Sequence, residues 1–232
     1  MGSEIDDCRR RKICVSVDAM DEIAAVEVLR NGRVAHREFV PTVLPEDPFA
    51  GGPCKLRIQW GWGPWSSLEM ARVCEWAGEI TVDGGELIAA TPLFQSGPYE
   101  ENLRDRLLDV NAGGLRFESF TSRRDAFNED PTKGVILEID GAPDTRVTIR
   151  GGQAGAFTIE RTLAELMASS AGAFTGPFTS ESVLVHRLLT PESYRLDFTW
   201  SDERDGSQAD YYMIRVTQSN GQMAWSSPVW VA

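Results

Sequence analysis

Apolar and polar residues alternate in short runs along most of the chain, and turn residues cut these runs to strand length. Ile13, Val15 and Val17 alternate with polar neighbours, and Ala24, Val26 and Val28 do the same. A period of two sends every second side chain to one face, as in a strand half buried in a sheet. Asn31-Gly32 follows at once and leads into 34–40. That dipeptide between two strand-like runs predicts a type I′ hairpin, because both central residues need positive φ. Leu56, Ile58, Trp60 and Trp62 alternate next. Two further hairpins are predicted, at Asp83-Gly84-Gly85 between 76–82 and 86–94, and at Gly141-Ala142-Pro143-Asp144 between 135–139 and 147–149. Near the C-terminus Tyr194, Leu196, Phe198 and Trp200 form one apolar face, and Tyr212, Ile214 and Val216 another. Asn220-Gly221 is read as a second two-residue turn, leading to Met223, Trp225 and the closing Val229-Trp230-Val231, with Trp225 and Trp230 read as core. The pattern amounts to about a dozen strands at the spacing of a sandwich.

One helix interrupts the strands. Thr162-x-x-Glu165 is a capping box, in which hydroxyl and carboxylate each satisfy an amide left unpaired by the first turn. Leu163, Leu166 and Met167 share a face and Gly172 stops the helix. The stretch 99–110 reads either way, with Leu103, Leu107 and Val110 at helical spacing. Residues 41–53 hold four prolines and two glycines and mark a boundary.

Composition narrows the function classes. The 232 residues carry 23 Lys and Arg against 35 Asp and Glu, a net charge of −12. Such a field repels polyanions, which argues against nucleic acid and anionic membranes as partners. Arg9-Arg10-Arg11-Lys12 is followed by only five residues, Ile13 to Val17, before Asp18, too short for the core of a secretion signal. No apolar run approaches the roughly 20 residues of a membrane helix. The reading expects a chain with no leader and no span, of unspecified location.

Residues able to carry chemistry are few. His36 and His186 are the two histidines, which argues against a His-built metal centre. His186 lies in an apolar strand, where a structural histidine outweighs a general base; His36 follows a hairpin turn and reads as an edge residue. None of Cys8, Cys14, Cys54 and Cys74 falls in a Cys-x-x-Cys pair, and Cys14 and Cys74, in strand-like stretches, read as small buried hydrophobes. Gly151-Gly152-Gln153-Ala154-Gly155 lacks the Lys and Ser/Thr of a phosphate loop and reads as a bend. Asp202, Asp205 and Asp210 cluster, but not at calcium-loop spacing and with Arg204 among them, so a polar loop is favoured. Trp60-Gly61-Trp62-Gly63-Pro64-Trp65 reads either as core wedges or as a stacking platform for sugars. The reading assigns no catalytic residue, no metal ligand and no cofactor.

Three stretches together resemble a known family. They are the run from Ile23 through Asn31-Gly32-Arg33-Val34; Leu163-Ala164-Glu165-Leu166 with Gly172-Ala173-Phe174 and Val185-His186-Arg187; and Tyr211-Tyr212, Arg215-Val216-Thr217-Gln218, Gly221 and Ala224 through Val231. The last resembles the C-terminal end of bacterial metallohydrolase-like proteins with a PHP (polymerase and histidinol phosphatase) domain. In that family the catalytic part is a distorted α/β barrel whose His, Asp and Glu residues bind metals. This chain has no His-x-His motif and no βα alternation, so no metal ligand carries over, and the chain resembles the β-rich region that follows the barrel. With the hairpin pattern, the resemblance implies an all-β architecture: an immunoglobulin-like β-sandwich from 12–40 and 183–232, with an inserted β-rich unit at 53–180 carrying one short helix near 162–170. The function implied is a non-catalytic accessory module that packs on a catalytic PHP-type domain or on a second copy. The alternative is a carbohydrate-binding sandwich using Trp60, Trp62 and Trp65.

Overall fold

A computed structural model describes residues 2–6, 8–40, 46–61, 73–94, 104–122, 132–152, 156–175, 183–203 and 209–231. The fold is all-β, with two short helices among the described residues. The chain divides into two units, residues 1–51 with 189–232, and residues 52–188.

The discontinuous unit is an immunoglobulin-like sandwich. Its strands are β1 (Ser3–Ile5), β2 (Arg10–Asp18), β3 (Ile23–Arg30), β4 (Arg33–Glu38) and, after the inserted unit, β13 (Arg195–Glu203), β14 (Asp210–Gln218), β15 (Met223–Trp225) and β16 (Val229–Val231). One sheet runs β1-β16-β14-β3-β4, with β15 also on β14; the other is the ribbon β13-β2. Among the described residues only the β1–β16 pair is parallel in this unit. The alternation read from sequence explains the packing. Ile13, Val15 and Val17 of β2 sit opposite Trp200, Phe198 and Leu196 of β13, and this face packs with Val26, Val28, Tyr212, Ile214, Val216 and Val231 of the larger sheet. Asn31 and Gly32 both have positive φ, +52° and +77°, and close β3 on β4 as the I′ reading requires. The second Asn-Gly is different. Only Gly221 has positive φ, the Gly221 amide donates to the Gln218 carbonyl at 3.0 Å and the Gln218 amide to the Gln222 carbonyl at 2.9 Å. Ser219-Asn220-Gly221 is therefore a three-residue loop, a turn followed by a left-handed glycine.

The inserted unit comprises β5 (Cys54–Trp60), β6 (Val73–Leu93), β7 (Arg106–Asn111), β8 (Gly114–Ser122), β9 (Lys133–Gly151), β10 (Phe157–Thr162), β11 (Ala171–Ala173) and β12 (Val183–Val185), with α1 (Leu163–Ala168); α2 (Pro191–Tyr194) belongs to the sandwich unit. The sheet order is β11-β12-β5-β9-β6-β8-β7, with β10 on β9. The two glycine-rich hairpins expected inside it do not form. β6 and β9 instead run through both sites as long partners, paired from Leu93 with Gly134 to Gly78 with Gly151. Asp83-Gly84-Gly85 is a register shift in β6, and residues 142–145 bulge from β9 opposite it. Thr145 Oγ1 donates to the Gly84 carbonyl at 2.9 Å and accepts from the Ala142 amide at 3.0 Å, which pins the bulge. Long-range pairing thus overrides local turn chemistry. The capping box is present: Thr162 Oγ1 accepts from the Glu165 amide at 3.2 Å and Glu165 Oε2 from the Thr162 amide at 2.8 Å. Leu163 and Leu166 are fully buried. Of the 99–110 stretch, 106–110 lie in strand β7, and 99–103 lie outside the described residues. Val183 to Leu188, read with the sandwich in sequence, group with the inserted unit.

Candidate functional site

The sequence-predicted site residues separate in the structure. Trp60 is 1% exposed, its ring stacked on Phe117 with centroids 4.3 Å apart and edge-on to Phe94 at 6.3 Å. It is a core wedge and presents no surface to a sugar; the correction follows from parity, since Trp60 continues the inward face of Cys54, Leu56 and Ile58. Trp62 and Trp65 lie outside the described residues. His186 Nε2 bonds the Gln59 side-chain oxygen, and its amide donates to the Arg57 carbonyl at 2.9 Å. His36, on the edge strand β4, stacks on Trp200 at 5.6 Å and lies 3.0 Å from Glu38 Oε1. Cys14 is exposed and Cys74 half-buried; Cys54 is the buried thiol. Cys14 is outward because it alternates with Ile13 and Val15, which the core takes. Among the described residues no group of three or more His, Cys, Asp and Glu side chains is placed to hold a metal.

The aspartates at 202 and 210 do come together, around cations. Asp205 lies outside the described residues. Asp210 accepts from Arg11 Nη1, from Arg30 Nε and Nη2 at 3.1 Å each, and from Asn31 Nδ2 at 2.7 Å. Tyr212 donates its hydroxyl to Asp202 at 2.6 Å and accepts from Arg11 Nη1 at 2.8 Å. Burial opposes the Asp210 charge, yet the hydrogen bonds from Arg30, Arg11 and Asn31 outweigh it and hold the carboxyl well below the usual carboxylate range. Burial and the Asp202 hydrogen bond push the Tyr212 hydroxyl up to about 12. Both aspartates are engaged by guanidinium groups, Asp210 by Arg11 and Arg30 and Asp202 by Arg30, which makes the cluster an ionic tie inside the sandwich. The sequence carries a signal for this cluster, since Arg11, Asp202 and Asp210 each extend an apolar period-2 face by one step.

The outer face of the larger sandwich sheet is of another kind. Strand register places Trp230 beside Tyr211 and Trp225 beside Arg215. The two tryptophans are thus four residues apart along β14, about 13 Å. Trp225 is 54% exposed and Trp230 43%, so both face solvent and not the core that their apolar runs predict, because they share the parity of Arg215 and Tyr211 and not that of Ile214 and Tyr212. Met223 and Val34 on the same face are also exposed. Glu27 sits among them, buried between Arg37, whose Nε donates at 2.8 Å, and Arg215. Burial would raise the Glu27 carboxyl, but the hydrogen bonds from Arg37 and Arg215 prevail and lower it. No sequence pattern marks this triad, because its members come from three strands and share only the solvent-side parity.

A concavity of about 370 Å3 lies on the inserted unit over Gly78 and Gly151, with Glu79, Arg116, Glu118 and Arg150 on its walls. Arg116 is held by Asp109 and Glu118 by Arg106.

The chain is similar over a short stretch to an uncharacterised protein of Chlamydia muridarum, 52% identical over 33 residues, 14% of this chain and 5% of that protein. An uncharacterised protein of Chlamydia trachomatis matches to the same extent. The match thus spans about a twentieth of the length of these curated relatives. No family model matches the chain, and no solved structure matches it.

Proposed function

We propose that this chain is a non-catalytic docking module, of the kind that follows the catalytic barrel in PHP-type metal-dependent hydrolases, and that it packs on such a domain through the outer face of its immunoglobulin-like sheet. The observation that carries the reading is the exposed apolar strip of Trp225, Trp230, Met223 and Val34 on one sheet face. Large exposed apolar side chains gathered on one face mark an interaction surface more than scattered ones do, and Trp and Met are enriched where proteins meet. Both histidines support the non-catalytic part, since each ring is spent on a structural partner. The sugar-binding alternative loses Trp60, its one described member, to the core.

The test is association. The purified chain is mixed with a separately purified PHP-type catalytic domain, and sedimentation is followed. A one-to-one complex that Trp230→Ala abolishes is expected. Absence of a complex, or metal-dependent turnover of phosphoesters by the chain alone, defeats the reading.

A further inference from the structure

We infer that the partner seated on this face is an acidic protein segment bearing apolar side chains, recognised by Arg37 and Arg215 together with Trp225 and Trp230. The inference rests on the docking reading and specifies its partner chemistry.

Glu27 lies at the centre of this face, paired with Arg37 on β4 and Arg215 on β14. Its carboxylate is buried on what should be a solvent-facing side of the sheet, and its two oxygens are taken by two guanidinium groups, Oε1 by Arg37 and Oε2 by Arg215. Two cations share one anion, so the centre of the face holds one positive charge in excess, in a chain of net −12. Each guanidinium spends its Nε and Nη2 on Glu27. Glu27 is the partner of both among the described residues. The arginines remain half-exposed, with 49% and 31% of their side chains accessible.

The arrangement is a preorganised one. An arginine on a bare surface loses rotamer freedom when it binds, and Glu27 has already removed that freedom here. A guanidinium offers five N–H donors in a rigid fork, so its free edge fits a second carboxylate. The tryptophans supply apolar contact beside that charge, since Trp225 is the cross-strand neighbour of Arg215. Buried aromatics and arginines are the side chains that carry most binding energy. A partner that matches is negative where it meets the arginines and apolar where it meets the indoles. A second copy docking by the same face would set this positive centre against its own image, which charge disfavours.

The experiment uses the whole chain and a phage-displayed library of random dodecapeptides as the probe. The library is panned on immobilised wild type after depletion on Arg37→Ala/Arg215→Ala, and selected peptides are synthesised and titrated by tryptophan fluorescence. Asp- and Glu-rich sequences with interspersed Leu, Phe or Trp are expected. Their affinity should fall with added salt and drop about tenfold or more in the double variant. Because that variant strands Glu27 and can misfold, Trp225→Ser is measured beside it; its side chain is mostly exposed, and the same loss is expected with an unchanged melting temperature. Enrichment without acidic bias, no enrichment, affinities indifferent to both variants, or a wild-type dimer that Trp230→Ala dissolves would each overturn the inference. A complex with the catalytic domain that persists in Arg37→Ala/Arg215→Ala leaves the docking reading standing and removes this one alone.

Discussion

Asp210 shows how one side chain ties separate strands of the sandwich. Its partners come from β2, from the end of β3 and from the turn that follows. Removing one member of a buried ion pair leaves the others uncompensated, at a cost of about 3–5 kcal/mol. Asp210→Asn is expected to cost that much, measured by urea unfolding at pH 7. Asp202→Asn, whose carboxylate keeps a single Tyr212 hydroxyl and Arg30, should cost less. A loss below about 1 kcal/mol for Asp210→Asn would mean the tie is ornamental. The period-2 phase of these residues was legible in the sequence. Their mutual pairing was not, because residues 11, 30, 202 and 210 meet only after four strands are in register.

Elements are where local chemistry and long-range pairing compete. At Asn31-Gly32 they agree: β3 and β4 are neighbours and the turn has both positive φ values. Gly32→Val puts a β-branched residue at φ +77° and should lower stability by about 1–2 kcal/mol. Gly221→Val faces the same backbone penalty at +85° although its turn is of another type. Thermal melts of the two variants check both. At Asp83-Gly84-Gly85 the competition goes the other way, and β6 continues because β9 offers it partners on both sides of the glycines. The C-terminal strand is a third case. β16 lies between β1 and β14, and Val231 is 2% exposed. Cutting the chain after Ser227 should remove about 2–5 kcal/mol and leave β1 without its partner. A truncated chain that melts like the full one would show β16 to be dispensable.

On the scale of the molecule, the ionic ties predict acid sensitivity. Asp210 and Glu27 titrate lower in the folded chain than in the unfolded one. A depressed carboxyl contributes stability that is complete above its unfolded value, about 4, and is lost as pH falls through the folded one. Urea midpoints should therefore hold near neutrality and drop below about pH 4. Asp210→Asn should flatten that drop, since an amide has no proton to gain. An equal acid drop in that variant would place the sensitivity elsewhere.

The sequence by itself determined the apolar faces of Ile13, Val15 and Val17, of Leu196, Phe198 and Trp200, and of Tyr212, Ile214 and Val216, the first Asn-Gly turn, the capped helix and the all-β class, because these depend on neighbours within about five positions. It also marked 41–53 as a break, close to where the inserted unit begins at Gly52. Only tertiary structure decided that Trp60 is core, that two glycine clusters are bulges in long strands, and that Glu27 meets Arg37 and Arg215. The reason is physical. Strand parity is local, but which strand lies alongside is set by contacts between residues over a hundred positions apart, as between Val28 and Ile214. The outer face around Glu27 is made of such contacts, so it could be seen only once the sheet was assembled.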